Sequence, residues 1–301
     1  MKFGIIGNLA KEELYGAVFE LSKNLEREKI EFYIQKEIAD GVEKRFSYKI
    51  NNALTTDELL KNSDMLISFG GDGTILATAR LVGSSQIPIL GVNLGKLGFL
   101  AEVAPEDAFD FIKKICKGEY RIEERMVLEA GVKGENETYF GLNDIVIDKA
   151  GSTRVVDIET FINDEYLITY TADGLIISTP TGSTAYSLAA GGPIVTPSSR
   201  VITLTPICPH TLTARPVVIP DDSIIKVKIE FYDKEILLTA DGQIEHKLKP
   251  PVEIIVKKAN YKVKLVKRLE ITYFDVLRSK LMWGMDLRIE KQKTSGENAN
   301  I

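Results

Sequence analysis

The sequence predicts an α/β N-terminal domain built on a mostly parallel, open sheet, followed by a β-rich, sandwich-like C-terminal domain. Two observations carry this. Through roughly the first hundred residues, short apolar runs alternate with helical patterns; after about residue 120 the texture changes to strand patterns separated by turn signals. Residues 3–6 are an apolar run and read as a strand. Between Glu12 and Glu28, the residues Leu14, Ala17, Val18, Leu21 and Leu25 recur at helical spacing on one face. Residues 65–69 form a second apolar strand that stops at Gly70 and Gly71, residues 75–82 resume as a helix, and residues 88–93 read as another buried strand. In an open parallel sheet, ligands sit beyond the carboxyl ends of the strands, so the loops after Phe69 and Val92 are the first places to look for a site. Further on, residues 127–132, 158–162, 175–178, 225–229, 236–238 and 252–256 read as strands, and Ala240-Asp241-Gly242-Gln243 as a turn. From Tyr273 to Trp283 the chain is amphipathic again, and the stretch from Lys291 is polar and expected to fray. The expected boundaries are 1–105 for the α/β domain, 106–265 for the β-rich domain, and 266–301 for a segment that packs back on the first.

Composition narrows the function classes. With 301 residues, 44% hydrophobic and 27% charged, the chain can bury the cores of about two domains. Its 38 Lys and Arg against 43 Asp and Glu give a net charge of -5, which supplies no global field for a polyanion, so nucleic acid is not expected as a principal partner. Cys116 and Cys208 match no CxxC or zinc spacing; a reducing compartment and buried, inert thiols are expected. The N-terminal apolar run is too short for a signal peptide and nowhere do 18 apolar residues follow one another, so the expectation is a soluble, cytoplasmic protein without membrane attachment. Histidine is scarce: His246 lies in a polar stretch and is expected to be exposed, while His210 after Pro209 is expected to be structural.

Two motifs carry chemistry. In the first, Gly70-Gly71-Asp72-Gly73-Thr74, a strand ends in glycines and a threonine opens the next helix, leaving backbone N–H groups unobstructed where the helix dipole favours an anion. The string is no Walker A loop, since GxxxxGK[ST] is absent, and no dinucleotide fingerprint, since Leu76 occupies the place of the third glycine. A carboxylate in an anion-binding turn is electrostatically awkward unless Asp72 holds Mg²⁺ or takes a proton from an attacking hydroxyl; an ordinary Asp-Gly turn is the bland alternative. In the second motif, Asp173 to Pro193, a strand leads into a hydroxyl-rich loop and a short helix for which Thr181 or Ser183 is the expected cap, with Gly191 and Pro193 as the stop. Seven hydroxyl side chains between Ser178 and Ser187 suit an uncharged polar grip on a nucleotide, and a flexible linker is rarely hemmed by an apolar strand and helix.

With these motifs in hand, the sequence resembles the NAD kinase family. GGDGT alone is shared with lipid kinases and phosphofructokinases. The string from Asp173 through Ser-Thr-Pro-Thr-Gly-Ser-Thr-Ala-Tyr-Ser-Leu-Ala-Ala-Gly-Gly-Pro is the specific one. In order along the chain come also Asn93-Leu94-Gly95-Lys96-Leu97-Gly98-Phe99-Leu100, Leu142-Asn143-Asp144, Pro209 to Pro216 and Asp241-Gly242-Gln243, so the likeness spans about residue 65 to Trp283.

The resemblance implies a kinase that transfers the γ-phosphoryl group of ATP to the 2′-hydroxyl of the adenosine ribose of NAD, giving NADP. Asp72 is then the general base, and Gly70, Gly71, Gly73 and Thr74 form the ATP phosphate loop. The NAD pocket it implies comprises Asp72, Gly73, Phe99, Asn143, Asp144, Arg154, Asp173, Thr184, Ala185, Tyr186, Ser187, Leu188, Ala189 and Gln243. Phe99 would wall the adenine, Tyr186 would pack beside a base or ribose, and Asn143 and Asp144 would grip ribose hydroxyls or the nicotinamide end. Many family members carry Glu where this chain has Asp144, which keeps the charge and shortens its reach. With no Cys/His cluster, the divalent cation expected is Mg²⁺ held mainly by substrate phosphates and water, with no protein-built metal site. Polyphosphate is an alternative donor, and the resemblance further implies a homodimer or homotetramer packed through the β-rich domains. A lipid kinase sharing GGDGT, and a non-catalytic NAD sensor, stand as the competing readings; the absence of a membrane-binding amphipathic segment speaks against the first and Asp72 against the second.

Overall fold

The computed structural model describes residues 1–95 and 98–283. Lys96 and Leu97 of the Asn93–Leu100 string, and the polar stretch from Lys291, lie outside the described residues. The first part of the chain alternates strand and helix: β1 (Phe3–Gly7), α1 (Glu13–Arg27), β2 (Phe32–Gln35), α2 (Lys36–Phe46), β3 (Ala53–Leu54), α3 (Thr56–Asn62), β4 (Met65–Gly70), α4 (Asp72–Val82), β5 (Ile89–Asn93) and α5 (Pro105–Cys116). The five strands pair in parallel in the order β5-β4-β1-β2-β3. Both faces are covered. Phe3, Ile5, Ile34, Ile67 and Val92 pack with α1, α2 and α5 on one side, while Leu66 and Ile89 meet Ile75, Leu76 and Ala79 of α4 on the other. Strands buried on both faces explain why their sequences are continuous apolar runs.

The second part is strand-rich: β6 (Arg121–Val132), β7 (Thr138–Gly141), β8 (Asp144–Asp148), β9 (Val156–Ile162), β10 (Glu165–Ala172), β11 (Gly174–Ser178), a short α6 (Tyr186–Ala189), β12 (Val201–Ile207), β13 (Val217–Pro220), β14 (Ile225–Ile229), β15 (Ile236–Ala240), β16 (Ile244–Leu248), β17 (Val252–Lys267) and a final α7 (Tyr273–Leu281). Six of these strands form an antiparallel sheet, β13-β12-β11-β8-β15-β16. The others extend the first sheet, because β17 pairs in parallel with β5 at Leu265 and Ile89 and antiparallel with β6 and β14. One sheet of 11 strands therefore runs from the parallel half into the β-rich half. The core of the β-rich half is sealed between the two sheets by Leu128, Ile147, Leu175, Ile177, Val227, Leu238 and Val256. In β14, Ile225, Val227 and Ile229 are buried, alternating with the partly exposed Lys226 and Lys228, as a half-buried strand requires.

Three expectations are corrected here. The strand expected at 252–256 runs on to Lys267, its apolar alternation masked by a register shift between Lys258 and Lys262. The helix expected from residue 75 begins at Asp72, inside the glycine motif. Cys116 and Cys208 are free and exposed, not buried: the core face of α5 is Ala108, Phe111, Ile112 and Ile115, which turns Cys116 outward. His246 does stack on Tyr139 and bonds Glu135 at 2.9 Å at the surface.

Candidate active site

The carboxyl ends of β4 and β5 are laced together by the Leu94 N–H donating to the Gly70 carbonyl at 2.9 Å. Gly71 is the N-cap of α4 and Asp72 its first residue, where a negative charge is favoured by the helix dipole. The first amides of a helix have no intrahelical partner, so this end offers donors to an anion, although the Thr74 N–H already donates to the Gly71 carbonyl at 3.0 Å. A Cβ at Gly71 would meet open space and one at Gly73 only Gln243 Nε2 at 3.7 Å, whereas one at Gly70 would collide with the Thr74 side chain. Gly70 is thus required by packing, and Gly71 and Gly73 face the open side. The helix is seated by buried hydroxyls: Thr78 Oγ1 lies 2.8 Å from Ser68 Oγ and donates to the Thr74 carbonyl at 2.9 Å.

The Asp72 carboxylate is held by the next loop. Phe99 N–H donates to Oδ2 at 2.8 Å, and Leu100 and Ala101 N–H to Oδ1 at 3.0 and 3.2 Å. The loop turns tightly, with Gly98 N–H on the Ala101 carbonyl at 3.0 Å, and any Cβ at Gly98 would strike the carboxylate. Phe99 is therefore brought to Asp72 first by its backbone; its ring is half-buried.

A parallel arrangement comes from the second sheet. Asp241 and Gly242 both take positive φ, 54° and 62°, closing β15 and β16 with the tight turn whose twist matches a hairpin. The turned-in Asp241 carboxylate accepts from the N–H groups of Leu142 (3.0 Å), Asn143 (2.7 Å) and Asp144 (3.3 Å), and Arg80 of α4 lies 3.9 Å away. Gln243 Nε2 donates to the Gly73 carbonyl at 2.7 Å, tying the turn to the start of α4. On the other side of the Leu142–Asp144 segment, Thr179 N–H donates to the Asn143 carbonyl (2.8 Å) and its hydroxyl to the Leu142 carbonyl (2.6 Å). A Cβ at Gly182 would run into the Asn143 backbone. The four strings GGDGT, Leu-Asn-Asp, Thr-Pro-Thr-Gly and Asp-Gly-Gln, separated by long stretches of chain, thus form one contiguous hydrogen-bonded network.

Asp144 is buried and none of the described residues hydrogen-bonds its carboxylate. Burial, and then the Asp241 charge, push it up to about 7. Burial also raises Asp241, against the pull of its three N–H donors and Arg80. Asp173 at the start of β11 pairs with Lys149 Nζ at 2.6 Å. Tyr186 is half-exposed, and partial burial, followed by the charges of Asp148, Cys208, Asp144 and Asp173, raises its phenol.

Not every expected residue joins. Neither Thr181 nor Ser183 caps α6: a 3₁₀ turn (Gly182–Thr184) intervenes and Ala185 is the N-cap, without a side-chain bond. Most of the hydroxyls of the loop point inward. Ser183 bonds the Pro180 and Val195 carbonyls and Ser187 pairs with Thr205 at 3.0 Å, both fully buried, so they build the loop; Thr184, Ala185, Leu188 and Ala189 retain access. Arg154 pairs with Asp233 at 3.4 Å on the surface and, among the described residues, has no bond into the network. Arg80, Lys149 and Asp148 carried no signal in the sequence, whereas Asp241, legible there as part of an Asp-Gly-Gln turn, gains from the structure its role of holding the Leu142–Asp144 backbone.

Comparison with known proteins decides the family. The profile described as ATP-NAD kinase N-terminal domain matches residues 3–120, and that described as ATP-NAD kinase C-terminal domain matches residues 142–268. The NAD kinase of Bacteroides fragilis is 42% identical over 291 residues, covering 96% of this chain and 100% of that protein. This chain belongs to the NAD kinase family. As a NAD kinase family member it is a phosphotransferase, and the NAD kinase of Caldanaerobacter subterraneus subsp. tengcongensis is likewise 42% identical over 283 residues, 93% of this chain and 98% of that one. Among solved structures, yeast NADH kinase complexed with NADH superposes with a TM-score of 0.85 at 28% identity, covering 95% of this chain and 89% of that one. An NAD kinase from Archaeoglobus fulgidus in complex with ATP shares the fold, with a TM-score of 0.74 at 24% identity over 94% of this chain and 99% of that one.

Proposed function

We propose that the chain transfers the γ-phosphoryl group of ATP to the 2′-hydroxyl of the adenosine ribose of NAD, giving NADP and ADP, with Asp72 as the general base. The observation that carries this is the Asp72 carboxylate at the mouth of α4, fixed by three backbone amides beside the unobstructed Gly71 and Gly73. A bond forms between the ribose 2′-oxygen and the γ-phosphorus, the bond from that phosphorus to the β–γ bridging oxygen breaks, and the hydroxyl proton passes to Asp72. Phosphoryl transfer needs in-line positioning and charge neutralisation more than covalent help. The Asp72 and Gly73 amides at the start of α4 and the Thr74 hydroxyl supply donors for the phosphates, the Thr74 N–H itself being taken by the Gly71 carbonyl at 3.0 Å. Asn143, Asp144, Asp173 and Gln243 supply the polar wall for NAD, and Phe99, Thr184, Ala185, Tyr186, Leu188 and Ala189 its flanks.

Mg²⁺ enters with ATP as part of the substrate. Its ligands are proposed to be mainly the phosphate oxygens and water, as suits a hard cation that dehydrates reluctantly. Arg154, an exposed side chain paired with Asp233, is kept as a proposed NAD contact, and the enzyme is proposed to be a homodimer or homotetramer. Light scattering that shows only a 33.4 kDa species would remove that assembly. No helix among the described residues is long and apolar enough to cross a membrane, and we place the enzyme in the cytoplasm.

The test is incubation with NAD, ATP and Mg²⁺, with NADP detected by a dehydrogenase that uses only NADP, beside the Asp72→Asn variant. NADP formed in an Asp72-dependent way is expected. No NADP despite NAD binding would point to a sensor or to another acceptor.

A further inference from the structure

Lys267 and Glu102 form a buried ion pair behind the site: Lys267 Nζ donates to Glu102 Oε2 at 3.0 Å, and both side chains are nine-tenths or more buried. Lys267 is the last residue of β17, the long strand that joins the parallel and antiparallel halves of the first sheet, so its ammonium projects from a rigid element. Glu102 closes the Asp72-holding loop and is itself anchored there, its Oε1 accepting from the Arg268 N–H at 3.1 Å. The decisive contact is a third one. Lys267 Nζ also donates to the Leu100 carbonyl at 3.2 Å, and the Leu100 N–H is one of the three that hold the Asp72 carboxylate. The residue that clamps the carboxylate from the front is therefore clamped by the ammonium from behind.

We propose that Lys267 and Glu102 are positioning residues for the phosphoryl transfer, locking residues 99–101 so that their three amides hold the Asp72 carboxylate in line with the attacking hydroxyl. The inference rests on Asp72 as the base. Stability gives little reason for such a pair, because a buried ion pair is commonly replaced by apolar residues at no net loss. Its geometry gives a better one. Among the described residues the loop meets Asp72 through its backbone amides, its own turn runs from Gly98 N–H to the Ala101 carbonyl, and its pairing to β5 comes only at Val103, past the three amides. A carbonyl pinned within the three-amide segment by a charged donor on a central strand adds rigidity where the carboxylate is held. A displacement of about 1 Å at a reacting group costs on the order of a hundredfold in rate.

The test compares steady-state NADP formation by the wild type with that of Lys267→Met/Glu102→Leu, which removes both charges together, and Lys267→Arg, which keeps a charged donor for Leu100 and Glu102. Glu102→Gln is the milder variant that preserves side-chain volume, in case the double variant does not fold. For the double variant, kcat is expected to fall by about 10- to 100-fold while KM for NAD stays within about twofold. Lys267→Arg is expected to recover most of the loss, and Glu102→Gln to show a smaller fall with the same constancy of KM. A folded double variant or Glu102→Gln with wild-type kcat would overturn the proposal. So would kcat and KM deteriorating in step with a lowered thermal midpoint, which is what a merely structural pair would produce. Asp72→Asn run alongside separates the two ideas: if it keeps full turnover the base assignment is wrong, and if it is inactive while the double variant is unaffected only the positioning role fails.

Discussion

Asp72 and Asp241 are held in the same way and face opposite environments. Each carboxylate accepts from three consecutive backbone amides, 99–101 in one case and 142–144 in the other. Asp72 sits partly buried at the start of α4, next to Gly71 and Gly73, whose missing side chains leave room for a ligand. Asp241 lies in a tight turn with its side chain only 3% exposed, next to Arg80 and behind the segment that carries Asn143 and Asp144. An identical hydrogen-bond pattern therefore serves two ends. At the surface of the cleft it aims a carboxylate, and in the interior it uses one to shape the backbone that presents other residues. What a carboxylate touches does not assign its role; what it leaves uncovered does.

Substitution at the two positions should separate these roles, with the largest effect at the open one. Asp72→Asn is expected to lower kcat for NADP formation by about 10² to 10⁴, the range for a positioned base, with NAD binding by calorimetry little changed. Asp241→Ala removes the shared acceptor of three amides in a buried setting and is expected to cost about 3 kcal/mol in denaturant unfolding, with any loss of activity following loss of fold. If Asp241→Ala stayed as stable as the wild type and lost turnover like Asp72→Asn, the division between aiming and shaping would collapse.

Asp144 sharpens the comparison through pH. Its carboxyl, pushed up to about 7 by burial and Asp241, binds a proton in the folded state that the unfolded chain has already released above its ordinary value of 3.8. Its contribution to stability is therefore fully present below about pH 4 and is lost as pH rises through about 7, and Asp144→Asn should flatten that slope in thermal unfolding. If ribose hydroxyls bind the ionised form, KM for NAD rises by up to about tenfold per pH unit below 7 in the wild type and not in the Asn variant. The smallest effect belongs to Gln243→Ala, which cuts the single bond between the Asp241 turn and Gly73 and is expected to cost about 1 kcal/mol, read as a modest drop in thermal midpoint.

Periodicity alone, on one chain, announced the alternation of strands and helices before residue 105 and the β-rich texture after 120, because burial on one face or two imprints a local repeat. The glycine motif at the end of β4 and the hydroxyl loop after β11 were equally legible, since short-range turn and cap chemistry is written in adjacent residues. Local pattern also misled where packing intervened: the buried loop hydroxyls at Ser183 and Ser187 satisfy their own backbone and neighbours, and the outward face of α5 carries Cys116. Long-range partnerships lay beyond it. Nothing in the order of residues says that Lys267 reaches Leu100, that Arg80 faces Asp241, or that Gln243 bonds Gly73, because these contacts join residues 161 to 170 positions apart and exist only once β17 has brought the two sheets together. The sequence by itself determined which elements form and which residue types can do the chemistry. The tertiary structure alone decided which carboxylate stands beside open space, at Gly71 and Gly73, and which is turned into a tight turn beside Arg80, since surroundings belong to the packed chain and to no residue taken singly.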